Sequence, residues 1–219
     1  TWNALDGQDG GNDYYRGVLK YDTKFETPDF DREKECVYLQ FHGVNASSKV
    51  TLNGKEVMAH DGGYSTWRVN ITDALDNSNL FVVEIDNSVN DRVYPQKADF
   101  TFYGGIYREV ELLIVNKAHF DLDYHGGPGI KITPEVKGKD AKIHVETWKN
   151  VTEGNVEITF MEADGTVVAK AAGTDVVLDV KDVHLWDGLD DPYLYTVKAV
   201  LTVNGEKADE ITSTCGVRS

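Results

Sequence analysis

The residues of this sequence that could do chemistry are a few polar side chains in glycine- and aromatic-rich segments. Asp99 begins the run Asp-Phe-Thr-Phe-Tyr-Gly-Gly-Ile-Tyr-Arg, and Asn12 follows the Gly10-Gly11 pair. A carboxylate accepts two or more hydrogen bonds, and such charge-assisted bonds are about twice as strong as neutral ones. An amide both donates and accepts, as a hydroxyl does. Both residues also have a purely structural interpretation, because Asp and Asn commonly stabilise turns.

Metal binding and thiol chemistry have little support in the sequence. The two cysteines, Cys36 and Cys215, lie near opposite ends of the 219 residues, which is not the pattern of a disulfide framework. We therefore expect two buried, reduced thiols. No group of cysteines and histidines has the spacing of a zinc site, so we expect this chain to bind no metal and no other cofactor.

The composition indicates a soluble globular protein and excludes some partners. Hydrophobic residues make up 41% and charged residues 27% of the chain, and the net charge is -15. A surface of that charge repels phosphate, so nucleic acid is not an expected partner. No stretch approaches the ~20 consecutive apolar residues of a membrane span. The Thr1-Trp2-Asn3 start has neither the basic nor the apolar region of a signal peptide.

Short strands must position the polar side chains, because no segment shows a long apolar stripe of helical period. In the first half, strand-like segments end at turn signals such as Asn53-Gly54, a strong hairpin signal. Residues 71–75 could form one short helical turn. The strand-like segments are Val37–Phe41, Lys49–Leu52, Leu80–Ile85 and Arg108–Val115.

The second half begins after Val115 and shows strands at the regular spacing that is typical of an immunoglobulin-like β-sandwich. We place the boundary near 116–118 and predict an all-β chain of two sandwiches, residues 1–117 and 118–219. Domains of this kind serve as lectins, adhesion modules and enzyme appendages alike. The predicted strands are Ala141–Trp148, Asn155–Glu162, Thr174–Val180 and Tyr195–Val203.

The run from Asp99 to Arg108 resembles the signature that ends the sugar-binding jelly roll of glycoside hydrolase family 2. That family includes β-galactosidases, β-glucuronidases and β-mannosidases. Other segments are similar to the family pattern and follow in the same order. They are Thr1-Trp2, Asn12–Gly17, Leu52–Lys55, His60–Tyr64, Trp67, Asn70–Thr72 and Asp86-Asn87.

The second half resembles the family's first immunoglobulin-like domain. Leu185-Trp186 and Asp191–Tyr195 are similar to its Trp…Pro-x-Leu-Tyr stretch, and Cys215–Arg218 stands where that domain closes on Phe-Gly-Phe-Arg. Here a cysteine and a valine replace the two phenylalanines. The resemblance covers nearly the whole chain, and it implies a galactose-binding-like jelly-roll β-sandwich followed by an immunoglobulin-like β-sandwich.

The resemblance also implies where the catalytic groups lie. In this family two glutamates of a retaining mechanism sit on a TIM barrel that follows these domains. The acid/base glutamate follows an asparagine, and this sequence contains no Asn-Glu dipeptide. We therefore expect a non-catalytic N-terminal fragment of a glycosidase, most similar to a β-galactosidase, that helps to shape the sugar site of the missing barrel. The alternatives are a free-standing carbohydrate-binding module and a structural pair of tandem sandwiches.

Asp99 and Asn12 are the substrate-binding residues that the resemblance implies. Asp99 matches the aspartate that reaches from the jelly roll to the sugar beside the scissile bond, and Asn12 is similar in position to an asparagine of an early loop. In some β-galactosidases the matching aspartate touches a monovalent cation, so the parent protein could use such a cation or magnesium. A β-galactoside is the expected partner. A homo-oligomer, and the cytoplasm or periplasm of a bacterium, are left open.

The other prominent side chains of these motifs are predicted to be structural. Arg108 is expected in an ion pair or an interdomain contact, and His60 in a turn. Asp86-Asn87 is expected to form an Asx turn that ends a strand. Aromatic residues expected to pack in the core are Phe102, Tyr103 and Tyr107.

Overall fold

The computed structural model of the protein describes residues 15–95 and 102–218. The chain forms two compact units that divide between Val115 and Asn116. In the described ranges, the regular elements are sixteen β-strands and one turn of 3-10 helix at Thr72–Ala74. The predicted all-β fold class and the short helical turn are therefore confirmed. Among the same residues there is no helix long and apolar enough to span a membrane.

The first unit contains a four-stranded sheet, a three-stranded sheet and a short two-stranded pair. Its strands are β1 (Val18–Glu26), β2 (Glu35–Phe41), β3 (Val44–Asn45), β4 (Ser47–Leu52), β5 (Lys55–Asp61), β6 (Trp67–Asn70), β7 (Ser78–Asp86), β8 (Gly105–Ile106) and β9 (Val110–Asn116). The spatial orders are β1-β7-β4-β5, β6-β2-β9 and β3-β8. Side chains from the two larger sheets share one apolar core.

Alternation along β7 explains why this segment forms one wall of that core. Phe81, Val83 and Ile85 are buried on one face of the strand. From the other sheet, the fully buried Phe41 ring stacks on Trp67, with ring centroids 4.1 Å apart. Phe41 and Trp67 are neighbours within the three-stranded sheet, and the Phe41 ring lies 6.1 Å from the Phe81 ring of the four-stranded sheet. The apolar burial around Phe41 and Phe81 therefore helps to hold the two sheets together.

The Asn53-Gly54 pair makes the predicted hairpin turn between β4 and β5. The two residues have φ angles of 51° and 81°, which match the positive φ required at both central positions of a type I′ turn. The Asn53 side chain also donates to the carbonyl of Ala74 at 3.0 Å. This hairpin fixes the register that places Lys49 opposite Ala59.

The second unit is a sandwich of two antiparallel sheets around a separate apolar core. Its strands are β10 (Ile130–Lys137), β11 (Asp140–Thr147), β12 (Asn155–Met161), β13 (Val167–Ala172), β14 (Asp175–Val180), β15 (Tyr195–Val203) and β16 (Glu206–Cys215). The spatial orders are β10-β11-β14 and β13-β12-β15-β16. The four predicted strands correspond to β11, β12, β14 and β15 within one or two residues.

Two motifs that carry the family resemblance in the second half lie against each other. The Trp186 backbone N–H donates to the Val217 carbonyl at 2.7 Å, and the Arg218 guanidinium lies 5.6 Å from the centre of the Trp186 ring. Gly216 leaves room for this contact, because a Cβ atom there would approach the Trp186 ring to 3.3 Å. After β16, residues 216–218 therefore run alongside Trp186.

Both cysteines are free and buried, as predicted, and one of them makes stability depend on pH. Burial raises the pKa of the Cys215 thiol from 9.0 to about 11. The native state then holds this proton more tightly than the unfolded state. The contribution of the protonated thiol to the free energy of unfolding is therefore complete below about pH 9 and is lost as pH rises through 11.

We expect the free energy of unfolding to fall by about 1 to 2 kcal/mol more in the natural chain than in Cys215→Ser between pH 8 and pH 10.5. Urea unfolding at the two pH values measures the difference. Equal losses in the two proteins would show that this thiol does not carry the effect.

Candidate functional site

The two sequence-predicted sugar ligands, Asp99 and Asn12, lie outside the described residues. The structure does describe the backbone close to each of them. Tyr15 follows Asn12 by three positions, and Phe102 follows Asp99 by three positions. The residues that hold these flanking positions therefore form the described part of the candidate site.

Asn87 connects both flanking positions. It follows β7 directly and is 4% exposed. Its Nδ2 donates to the carbonyls of Tyr15 at 3.0 Å and Phe102 at 3.3 Å, and its Oδ1 accepts from the Gly17 N–H at 2.8 Å. One buried amide thus joins two loops that are far apart in sequence.

A second buried asparagine holds the next residue of the same motif. Asn45, on β3, donates from Nδ2 to the Tyr103 carbonyl at 2.7 Å. Its backbone pairs with Gly105 in the β3-β8 ladder. The two carbonyls of Phe102 and Tyr103 therefore each accept from a buried side-chain amide, and their backbone positions are fixed relative to the sandwich.

The glycine pair of the motif is explained by these contacts. A Cβ atom on Gly104 would lie 2.6 Å from Cγ of Asn87, which is too close for any side chain. Gly105 has a φ of +109°, a conformation that L-residues with a side chain rarely adopt. The Gly-Gly sequence lets the backbone pass directly over Asn87.

Arg92 anchors the loop that precedes Asp99. Its Nε donates to Asp61 Oδ2 at 3.0 Å, and its terminal nitrogen donates to Ser47 Oγ at 3.3 Å. Hydrogen bonds, first from Ser47 and then from Arg92, hold the pKa of the Asp61 carboxyl below its usual range. Asn90 accepts from the Arg92 and Val93 N–H groups at 2.9 Å, which shapes the loop itself.

The same arginine borders a groove of about 510 Å³ on the outer face of the four-stranded sheet. Its cations are already paired, because Arg92 contacts Asp61 and Lys49 contacts Glu84 at 2.8 Å. Asp86 also lines the groove, which therefore holds two ion pairs and one further carboxylate.

Only one of the three motif aromatics predicted for the core is buried. Phe102 is 8% exposed, with the Arg16 guanidinium 5.3 Å from its ring centre. The prediction is wrong for Tyr103 and Tyr107, which are 36% and 47% exposed. The physical reason is that β8 is only two residues long, so its neighbours do not continue between the sheets. The Tyr107 hydroxyl instead donates to the Gly63 carbonyl.

Arg108 is also placed differently from the expectation. It forms no ion pair with a described carboxylate, and its guanidinium lies 5.4 Å from the centre of the exposed Tyr107 ring. The interdomain alternative stays a prediction.

His60 was expected in a turn, but it lies within β5, one residue before the strand ends at Asp61. Its ring stacks on Trp67 with centroids 4.8 Å apart, and burial lowers the pKa of the imidazole. The predicted Asx turn is present at Asp86, which accepts from the Ser88 N–H at 2.8 Å. Sequence reasoning missed the separate role of Asn87, although Asp86-Asn87 was among the segments similar to the family pattern and directly follows a buried strand.

Metal chemistry finds no support among residues 15–95 and 102–218, which contain no group of three or more His, Cys, Asp or Glu side chains that could hold an ion. The cation considered for the parent protein stays a prediction. What the described arrangement can do chemically is to fix two loop segments against one sandwich.

Comparison with protein families decides the identity of both halves. Residues 14–132 match the model of the glycosyl hydrolase 2 galactose-binding domain-like family, and residues 128–218 match the model of glycosyl hydrolases family 2. The chain belongs to glycosyl hydrolase family 2. The resemblance that the Asp99–Arg108 run suggested is thereby confirmed, as is the pair of family 2 domains.

Relatives within family 2 are glycosidases of two kinds. A crystal structure of an FMN-binding β-glucuronidase from F. prausnitzii L2-6 is 38% identical, with a TM-score of 0.91 over the whole chain and 35% of that protein. A β-glucuronidase of Bacteroides fragilis is 32% identical over the whole chain and 34% of its own length. A β-galactosidase of Thermoanaerobacter pseudethanolicus is 29% identical over 94% of the chain and 29% of its own length. The chain thus spans about a third of the relatives that it matches.

Proposed function

We propose that this chain is the non-catalytic, sugar-site-shaping part of a retaining family 2 glycosidase, here called the parent enzyme. The observation that carries the proposal is the coverage. A β-glucuronidase matches all of this chain at 38% identity, yet the chain accounts for only 35% of that enzyme. The remaining two thirds of such an enzyme would supply the catalytic carboxylates, which a retaining mechanism needs at about 5 to 5.5 Å from each other.

In this proposal, Asp99 and Asn12 contact hydroxyl groups of the terminal sugar. The held backbone at Tyr15 and Phe102 supports this assignment, because a rigid frame reduces the entropy lost when a substrate is oriented. The carboxylate accepts hydrogen bonds from neighbouring hydroxyls, and the amide both donates and accepts. Neither group takes part in bond cleavage.

Two sugars are candidates for the terminal position. Relatives at 38% and 32% identity are β-glucuronidases, and a relative at 29% is a β-galactosidase. We take a terminal β-glucuronide as the first candidate on this ground. The β-galactoside expected from the sequence is the second, supported by the β-galactosidase relatives.

Hydrolysis of 4-nitrophenyl glycosides by the parent enzyme and by the 219-residue chain tests the proposal. We expect the parent enzyme to cleave the β-glucuronide or the β-galactoside, with a preference of at least about tenfold, and the chain alone to cleave neither. The physical reason is that the chain supplies orienting groups and no acid/base pair.

Calorimetric titration of the chain with glucuronate, galactose and lactose separates the alternatives. Silence at millimolar sugar supports a site that needs the catalytic domain. Millimolar or tighter binding by the chain alone would contradict the proposal and indicate a self-contained carbohydrate-binding module. A parent protein without any glycosidase activity would contradict it in favour of a structural pair of sandwiches.

A further inference from the structure

We infer that Asn87 is a positioning residue, whose buried amide sets the distance between the two loop segments that lead to Asn12 and Asp99. This inference rests on the proposed function, because it gives the amide a role in orienting the sugar ligands. Asn87 itself touches no substrate in this account. It acts through the backbone on either side.

The amide uses both of its donors and its carbonyl oxygen for this purpose. An asparagine side chain offers two N–H donors and one carbonyl acceptor. Both donors reach loop carbonyls, those of Tyr15 at 3.0 Å and Phe102 at 3.3 Å, and the carbonyl accepts from Gly17 at 2.8 Å. The Asn87 N–H also donates to the Gly17 carbonyl at 3.3 Å. No other side chain of similar size provides two donors and an acceptor in this way.

Sequence distance links the Asn87 amide to each predicted ligand. Asn12 precedes Tyr15 by three positions, and Asp99 precedes Phe102 by three positions. Because Asn87 holds the backbone at Tyr15 and Phe102, the inference assigns to it the positions from which the two ligand segments extend.

The surroundings show that this amide cannot move freely. Asn87 is 4% exposed, and the Cα of Gly104 passes so close that a Cβ there would clash with the amide at 2.6 Å. Its own backbone continues β7, whose residues pair with β1 on one side and β4 on the other. The Asn87 side chain is thus attached to an interior strand of the four-stranded sheet.

Asn79 provides a matched control at the opposite end of the same strand. It is 1% exposed, and its Nδ2 donates to Thr27 Oγ1 at 2.8 Å and to the Asp76 carbonyl at 3.0 Å. Eight residues of extended chain, about 26 Å, separate it from Asn87. Asn79→Asp therefore perturbs a buried amide of this sandwich without touching either loop segment.

The test is a double-mutant cycle in the parent enzyme. Asn87→Asp keeps the shape but replaces two donors with an oxygen that faces two carbonyls. We expect it to lower kcat/KM about 30-fold, because a misplacement of about 1 Å can cost up to about 100-fold. Asn79→Asp is expected to lower Tm about as much as Asn87→Asp does, because both place a carboxylate at a buried amide position. It should nevertheless change kcat/KM less than about threefold. Asn87→Ser serves as the second variant if the aspartate does not fold.

The coupling to Asn12 and Asp99 distinguishes positioning from general destabilisation. On an Asn12→Ala, Asp99→Ala background, Asn87→Asp should lower kcat/KM by less than about threefold, because both groups that it positions are already absent. Equal kcat/KM losses for Asn87→Asp and Asn79→Asp, or a full additional loss on that double-variant background, would overturn the inference. If Asp99→Ala alone leaves kcat/KM unchanged, the proposed function fails, and the inference fails with it.

Hydrogen exchange examines the contact between Asn87 and the Gly17 segment separately from activity. The Gly17 N–H donates to Asn87 Oδ1, and an aspartate at this position would still accept that bond. Gly17 should therefore exchange at least about tenfold faster in Asn87→Ala, which removes the acceptor, than in Asn79→Ala. An unchanged Gly17 rate would show that the amide does not hold this segment, whatever the substrate.

Discussion

Asp99→Ala is expected to lower the kcat/KM of the parent enzyme about 100-fold, with most of the loss in the orientation of the terminal sugar. A hydrogen bond to a charged group contributes about 1.5 to 3 kcal/mol, and one carboxylate can accept from two hydroxyls. The loss should be present for every aglycone, because the contact is to the sugar and not to the leaving group. Steady-state kinetics with two aryl glycosides of the preferred sugar measure it.

Two further variants make the Asp99 result specific. Asp99→Asn keeps the shape and removes the charge, so an intermediate loss of about tenfold is expected. Asp91→Ala removes an exposed carboxylate from the preceding loop and should leave kcat/KM within about twofold. A loss of equal size in Asp91→Ala would mean that bulk charge near this loop, and not a contact by Asp99, governs the rate.

Phe41→Ala is expected to lower the free energy of unfolding of the first unit by about 3 to 5 kcal/mol. Phe41 is fully buried, stacks on Trp67 at 4.1 Å and lies 6.1 Å from the Phe81 ring. Truncation removes these contacts and leaves a cavity that β2 and β7, being paired on both sides, cannot close. Urea unfolding of the chain, followed by tryptophan fluorescence and circular dichroism, measures the loss.

Leu80→Ala is the control for this loss. Leu80 is on β7 but 42% exposed, so its truncation should cost less than about 1 kcal/mol. Phe41→Leu should fall between the two variants, since it fills part of the volume. A cost for Phe41→Ala no larger than that for Leu80→Ala would mean that the two sheets are not held together through this ring.

Local sequence signals predicted several strands, including the edge strands β9 and β14. The Asn53-Gly54 turn and β15 are clear examples, because turn chemistry and alternation each specify them without reference to distant residues. The edge strands β1 and β13 were missed, because their exposed positions do not repeat a clear polar and apolar pattern. β10 was also missed, although its burial alternates along the strand.

The candidate site depended more on topology than on pattern. The partners of Asn87 lie 72 and 15 residues away, so only the completed sandwich shows that one amide joins them. Tyr107 was expected in the core, and Arg108 in an ion pair or an interdomain contact. Both side chains are exposed and follow the two-residue strand β8. The Gly104-Gly105 pair entered only through the family resemblance, and the contact with Asn87 explains Gly104.

The central claim is that a carboxylate from this chain contacts the terminal sugar of a site completed elsewhere in the parent enzyme. The most direct measurement is a crystal structure of the parent enzyme with a bound sugar-mimicking inhibitor of the preferred glycoside. The account predicts an Asp99 carboxylate oxygen about 2.6 to 3.2 Å from a hydroxyl of the inhibitor. An Asp99 side chain more than about 6 Å from the inhibitor, with no bridging water, would contradict it.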